Sequence, residues 1–561
     1  MTRIFVPMLT LLVLLGQVSS TLDAAVAVQP PLQFFKNYFL TGDYAVQGVG
    51  LRGTGMDGHA SGTIVVPACA EGDTQRLGCV PRRVDVVAAF LYWQVIGDKA
   101  QPLAGARGVM FKGQPLHIVD DSVDVLFGKP LGSGAAACWP GGNGSRDVTY
   151  TYRADALRFL DIDPETGKTA GYGSHTIVLP DTANTAALGA SLVVVYRDSS
   201  LPYSAIVLYD GSYAMATTAA SMTLPVEGFY DADDQNRAGK LTHVVGSGQQ
   251  GRREAAFYND TEWVDAYVGA TGNNWDNPTF PVTVDPQRRT ITTGARYKPN
   301  LGSSDCLTWA AVVYRTPVAD DDQDGLLNLW ETATTPVLDP YGRALPLLSK
   351  MGADAAVPDV FIEINYLKTD VPRLYGSEEK PAHSHRPAPE AIRLFGDMFK
   401  ARGINVHIDL GQHYDVGAET AAEPYLIRDT SPGEGLARGG EAIDESLTVC
   451  QAPAGSPPWA CQFSAYPGTV GWKTGLRRLR DSFLDAPPAG PGQPEVCDVA
   501  GSTCARRFDE VRQDIFRYAL FSHFVGLPRS TKPCRDGAMQ PVEDVDGQCP
   551  AGSTLDPDFR V

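Results

Sequence analysis

Across residues 30–317 the apolar positions fall in short runs rich in β-branched and aromatic residues, at 84–93 (Val-Asp-Val-Val-Ala-Ala-Phe-Leu-Tyr-Trp), 108–111, 175–179, 190–196 and 205–209, separated by Gly, Pro, Asn and Asp. Such runs suit a pleated, half-buried backbone. Their spacing at roughly ten residues predicts antiparallel sheets stacked as an all-β sandwich or jelly-roll. The run 307–314 stops at Pro317 and reads as the last strand of this part.

Beyond residue 346 the pattern changes. Residues 359–366 (Asp-Val-Phe-Ile-Glu-Ile-Asn-Tyr) predict a strand. Pro387 and Pro389 open a helix with apolar positions Ile392, Phe395, Met398 and Phe399, and 403–409 predict a second strand. A right-handed crossover sets two such strands parallel, so Glu363 and Asn365 share a face of the first, and His407 and Asp409 a face of the second. Polar residues near the carboxyl ends of parallel strands are where α/β sites form. A later helix is expected over 508–524, with Val511, Ile515, Tyr518, Ala519 and Phe521 inward, Gly526 and Pro528 closing it, and His523 as a partner of its dipole.

Between the two parts lies the most informative stretch, residues 320–331 (Asp-Asp-Asp-Gln-Asp-Gly-Leu-Leu-Asn-Leu-Trp-Glu). Oxygen donors fall at positions one (Asp320), three (Asp322), five (Asp324), nine (Asn328) and twelve (Glu331) of an EF-hand-type calcium loop. Gly325 takes the sharp turn at position six, and Leu326 at position seven offers its backbone carbonyl. Calcium is a hard cation that gathers six to eight oxygens, so alternating short carboxylates on a tight loop can converge on it while a longer Glu closes from the far side. Leu327 at position eight points away from the ion. No entering helix precedes the loop, and only an exit helix at about 326–334, closed by Pro336, is expected. The loop therefore resembles the single-sided calcium loops of dockerin modules and thrombospondin type 3 repeats. The competing reading is an acidic, solvated linker.

Composition narrows the picture. At 561 residues the chain is long enough for two to four domains, and a formal net charge of −18 argues against nucleic acid or an anionic membrane surface as partner. Arg3, the apolar run 4–15 and Ala25-Val26-Ala27 read as a secretory signal peptide. No later apolar stretch approaches the length of a membrane span. The organisation expected is a signal peptide (1–27), a β-sandwich domain (28–317), a calcium loop and linker (318–345) and an α/β domain (346–561), in a secreted, extracellular or periplasmic protein. Ten cysteines in an exported chain favour disulfides. Close pairs suggest themselves: Cys69 with Cys79, Cys450 with Cys461, Cys497 with Cys504 and Cys534 with Cys549, leaving Cys138 and Cys306 to pair across the first domain.

Two further sets of residues invite a functional reading. Trp139, Trp263 and Trp275 stand in Gly- and Asn-rich surroundings, where indoles stack on a glycan or a cell-surface protein or else cap the core. His383, His385, His407 and Asp409 lie close enough in sequence to suggest a metal site, although no zinc signature matches. The segments Val360-Phe-Ile-Glu-Ile-Asn-Tyr366, His385-Arg-Pro387, 403–411 and 518–527 together resemble a family of exported zinc-metalloprotease-like proteins. In that family such a segment precedes a His-Glu-x-x-His helix. This chain contains no such motif, so no catalytic residue carries over. The 84–93 and 191–196 runs resemble β-rich modules of exported bacterial and archaeal proteins, which implies a surface or adhesive role. Three functions follow as expectations: a calcium-binding protein whose loop stiffens an interdomain junction, a truncated or degenerate zinc metallopeptidase, and a carbohydrate-binding surface protein.

Overall fold

The computed structural model describes residues 31–522 apart from several internal stretches, the longest being 117–129, 136–147, 446–475 and 483–505, together with three two-residue strands further on. The expected signal peptide, Trp139 and His523 lie outside the described residues.

Six long strands make the centre: β1 (Gln33–Gly50), β2 (Asp85–Gly97), β3 (Thr185–Arg197), β4 (Tyr203–Ala214), β5 (Ala238–Gly246) and β6 (Thr308–Pro317). β1 is shared between two sheets. Its residues 33–41 pair antiparallel with β4, and residues 42–50 pair antiparallel with β3. Beyond β4 come β6 and β5, and beyond β3 comes β2. The two groups face each other across a buried cluster that includes Tyr44, Tyr92, Val193, Val195, Ile206, Leu208 and Val313. Alternate residues of the same strands serve other layers. Leu91, Trp93, Leu192 and Val194 pack on the sheet of His59–Val66 and Gly173–Pro180. Ala205, Val207, Val312 and Tyr314 pack toward Met222, Leu224, Ala256 and Ala295 of a further antiparallel sheet. The result is a stack of antiparallel sheets, and strands covered on both faces explain why Ser191-Leu-Val-Val-Val-Tyr196 lacks alternation. Gly42 marks the point where β1 changes partner. A Cβ there would lie 2.1 Å from the Tyr196 carbonyl oxygen, so a side chain would force the crossover open.

The largest core does not end with β6. Leu326, Leu327, Trp330, Phe361 and Phe516 belong to the same buried cluster as Val312 and Tyr314, so apolar packing crosses the boundary expected at residue 317. A short helix, α1 (Asn328–Thr332), carries Trp330 into it. α1 is shorter than the sequence suggests, because Ala333 is already extended.

β7 (Asp359–Thr369) organises the remainder. It pairs antiparallel with β8 (His383–Ser384) and parallel with β9 (Asn405–Asp409), β10 (Ala442–Asp444) and β11 (Phe516–Phe521). The helix α2 (Pro389–Lys400) runs between β8 and β9, with Pro389 in its first turn. It buries Ile392 and seats Gly396 against Tyr425, while Met398, expected inward, lies exposed.

The helix expected over 508–524 does not form. A single 3-10 turn, Glu510–Arg512, leads into β11. Phe-Arg-Tyr-Ala-Leu-Phe is aromatic-rich, and the edge of β7 offers it a ladder with Phe516 5.3 Å from Phe361, so pairing overrides the helical period. Among the cysteines, Cys69 and Cys79 form the expected disulfide and Cys306 is also disulfide-bonded. The other expected pairings rest on side chains outside the described residues.

Candidate metal centre

The loop after β6 is built by its own carboxylates. Asp320 accepts the backbone N–H groups of Asp324 (3.2 Å) and Gly325 (3.1 Å), which folds the chain back on itself. Gln323 and Gly325 take up the turn at φ +63° and +93°, a region that Gly enters without strain and that other residues enter reluctantly. Asn328 Oδ1 accepts the Asp321 N–H at 3.0 Å, and the Tyr203 hydroxyl donates to the Gly325 carbonyl. The exit is anchored by Leu326, Leu327 and Trp330, all buried, with Trp330 edge-on to Phe39 and Tyr230. Burial of each contributes about 2 kcal/mol, which holds the loop's shape against the charges it carries.

Those charges converge. Oxygens of Asp322, Asp324, Glu331 and Asp359 all lie within 4.8 Å of one another. At an effective dielectric of about 20, two such anions repel by roughly 3.5 kcal/mol, so four cannot remain ionised without a counter-charge. Burial pushes the Glu331 carboxyl up to about 9, with Asp324, Asp322 and Asp359 adding to the shift. Burial first, then Asp324, raises Asp320 to about 6, and burial also lifts Asp322 and Asp324. Glu331 is 2% exposed, and among the described residues neither of its oxygens has a hydrogen-bond donor, the neighbouring group being the Asp359 carboxylate; Asp322 Oδ2 likewise has none. Buried polar atoms are rarely left so, and carboxylate oxygens facing other carboxylates call for a proton or a cation between them.

The fourth carboxylate was not legible in the loop motif. Asp359 opens β7, and its backbone N–H donates to Asp324 Oδ2 at 2.6 Å. Its Oδ2 accepts the Asp354 N–H and its Oδ1 takes His407 Nε2 at 2.5 Å, while the His407 ring stacks on Phe361. The one available signal was an aspartate at the head of an otherwise apolar strand, where that residue is depleted. Of the six expected ligands, Asp322, Asp324 and Glu331 are brought together. Asp320 and Asn328, whose side chains accept N–H groups of the loop, and the Leu326 carbonyl are not among the groups gathered there.

His383, His385, His407 and Asp409 do not form one site. His407 belongs to Asp359. Asp409 is saturated by the N–H groups of Gly411, Arg438 and Gly439 and by Arg512. His383 and His385 instead meet Glu445. Trp275, considered as an exposed sugar platform, is fully buried with Nε1 donating to Ser191 Oγ, and Trp263 stacks on Phe280 at 4.3 Å.

No family model matches the chain, and no curated protein matches it. Among solved structures, a plant receptor-like kinase, FER, is similar over 50% of this chain and 88% of its own at 7% identity and a TM-score of 0.17. The major capsid protein P2 of bacteriophage PM2 is similar over 50% of this chain and 99% of its own at 11% identity, with a TM-score of 0.14. A peptide-N(4)-(N-acetyl-β-D-glucosaminyl)asparagine amidase is similar over 49% and 95% at 8% identity, with a TM-score of 0.16. Likeness at this level carries no argument about fold or function.

Proposed function

We propose that this chain is an exported calcium-binding protein in which Asp322, Asp324, Glu331 and Asp359 hold one Ca2+ that clamps the loop after β6 onto the start of β7. The observation that carries this reading is Glu331, buried, with no hydrogen-bond donor to either oxygen among the described residues and three other carboxylates around it. An all-carboxylate donor set suits a hard cation, whereas imidazole or thiolate ligands would favour zinc or copper. Bound calcium supplies the positive charge that the side chains of the cluster lack.

The donor set departs from that of an EF-hand. Asp320 braces the turn, and Asp359 of β7 takes a place among the ligands. The ion's role is mechanical: it fixes how the chain leaves the antiparallel stack and enters the parallel strands. At about 1 mM calcium and a module-type Kd near 0.1 mM, linkage contributes about 1.4 kcal/mol, enough to order a junction and too little to fold a domain. The Cys69–Cys79 bridge fits an oxidising compartment.

Calorimetric titration of the full chain tests the proposal. One Ca2+ is expected to bind the wild type, with binding lost in Glu331→Gln and in Asp359→Asn. Unchanged binding in both variants would remove the loop and the strand from the account.

A further inference from the structure

At the opposite end of β7 from Asp359, a second set of ligating groups converges. β8 lies antiparallel beside Lys368 and Thr369, and the ladder runs on through the His385 N–H to the Leu367 carbonyl. His383 and His385, two residues apart on extended backbone, therefore project from one face. β10 lies parallel beside residues 366–368 of β7 and delivers Glu445 immediately after its last residue, Asp444. The Glu445 carboxylate is 1% exposed and meets His385 Nε2 at 2.8 Å through Oε1 and His383 Nε2 at 3.4 Å through Oε2. The two rings stand almost perpendicular, 86° apart, so they approach the carboxylate as separate donors and do not stack on each other.

The tautomer of His383 decides what this arrangement is for. His383 Nδ1 lies 2.6 Å from the Pro381 carbonyl oxygen. A carbonyl only accepts, so Nδ1 carries the hydrogen. In a neutral ring Nε2 then presents a lone pair to the Glu445 carboxylate, and two lone pairs facing each other need a cation between them or a second proton on the ring. Pinning one ring nitrogen on a backbone carbonyl while the other faces outward is how metal-ligating histidines are held. Donors bound at about 2.0–2.1 Å to a tetrahedral ion lie about 3.3 Å apart, which the 3.4 Å His383 pair matches, while the 2.8 Å His385 pair is a hydrogen bond that an ion would replace.

We propose that His383 Nε2, His385 Nε2 and the Glu445 carboxylate form a binding site for a zinc-class divalent metal ion, separate from the calcium centre. Imidazole nitrogens with one carboxylate favour such an ion over calcium. The site is ten residues along β7 from Asp359, about 33 Å at ~3.3 Å per residue, so the two centres load independently.

The test is a Co2+ titration of the chelator-stripped full chain in 1 mM Ca2+, read by ligand-field absorption, with Zn2+ added as competitor. One equivalent of Co2+ is expected, displaced by Zn2+. Binding is expected to be lost in His383→Ala and Glu445→Gln and kept in Glu331→Gln, which separates this site from the calcium reading. His383 is partly exposed, so its variant keeps the test meaningful where Glu445→Gln fails to fold. Absence of a stoichiometric Co2+ or Zn2+ site in the wild type, equal binding in His383→Ala, or a His383 ring doubly protonated at neutral pH by NMR without metal uptake would each overturn the proposal.

Discussion

Two groups of buried carboxylates sit on the same face of β7, four residues apart, and they are treated in opposite ways. Glu363 and Asp409, both fully buried, share the guanidinium of Arg512, which bonds Glu363 and reaches Asp409 Oδ2 at 2.8 Å. Arg512 also donates to the Leu436 carbonyl and lies over the Phe516 ring, so its charge is spent inside the fold. Asp359, at the head of the strand, stands with Asp322, Asp324 and Glu331, and the His407 imidazole meets this cluster through Asp359. The difference teaches what each cluster is for. Where paired anions belong to the architecture, the chain encodes their counter-ion; the second cluster has no such guanidinium among the described residues, and that contrast supports the proposed cation.

The comparison breaks most visibly at Arg512. Replacing it with Met keeps the volume but strands two buried anions, and the expected cost is about 3–5 kcal/mol. Urea denaturation with and without calcium checks this, and the loss should be the same in both, because calcium cannot reach that pair. Glu331→Gln should do the reverse. In 1 mM calcium it forfeits the linkage contribution of about 1.4 kcal/mol. In chelator it should match or exceed the wild type in stability, since a neutral amide replaces a carboxyl that must take up a proton to be buried there. A crossing of the two denaturation curves is the expected signature.

Acidity sharpens the same contrast. In the calcium-free protein Glu331 holds its proton up to about 9, against an ordinary value of 4.5, and Asp320 to about 6, against 3.8. The unfolded chain releases these protons earlier than the folded one. Stability from this source is therefore fully present below the ordinary carboxylate range and is lost as pH rises toward 9. Melting temperatures of the chelated protein should fall across that window, and calcium, which binds the ionised form, should flatten the decline. The smallest effect is expected from His407→Gln. Loss of the group that orients Asp359 weakens calcium about tenfold, which reduces the linkage contribution at 1 mM from about 1.4 to about 0.4 kcal/mol. Calorimetry on that variant measures it directly.

Local chemistry was readable from the chain where it was self-contained. The strand runs at 190–196 and 205–209, the parallel pair flanking α2, and the carboxylates Asp322, Asp324 and Glu331 all announce themselves within a dozen residues. What escaped was contact between distant parts. Asp359 joins a cluster 28 residues from Glu331, and nothing in the loop's spacing points to it. Residues 516–521 carry a helical period, yet the open edge of β7 draws them into a strand. Glu445 gave no sign of its histidines, because parallel pairing with β7 brings them together. Asp320 lies outside the convergent group for a subtler reason: a carboxylate that braces a turn and one that faces other carboxylates look identical in a linear pattern.

β1 has a consequence for the order of assembly. The earliest described strand completes two sheets at once, and its partners lie in residues 185–214, some 150 positions downstream. A chain emerging from the ribosome must leave that segment unpaired until β4 has been made. Closing loops of this length puts folding in the slow regime of non-local topologies. A first strand that cannot settle early keeps the nascent polypeptide open for as long as its mates are missing.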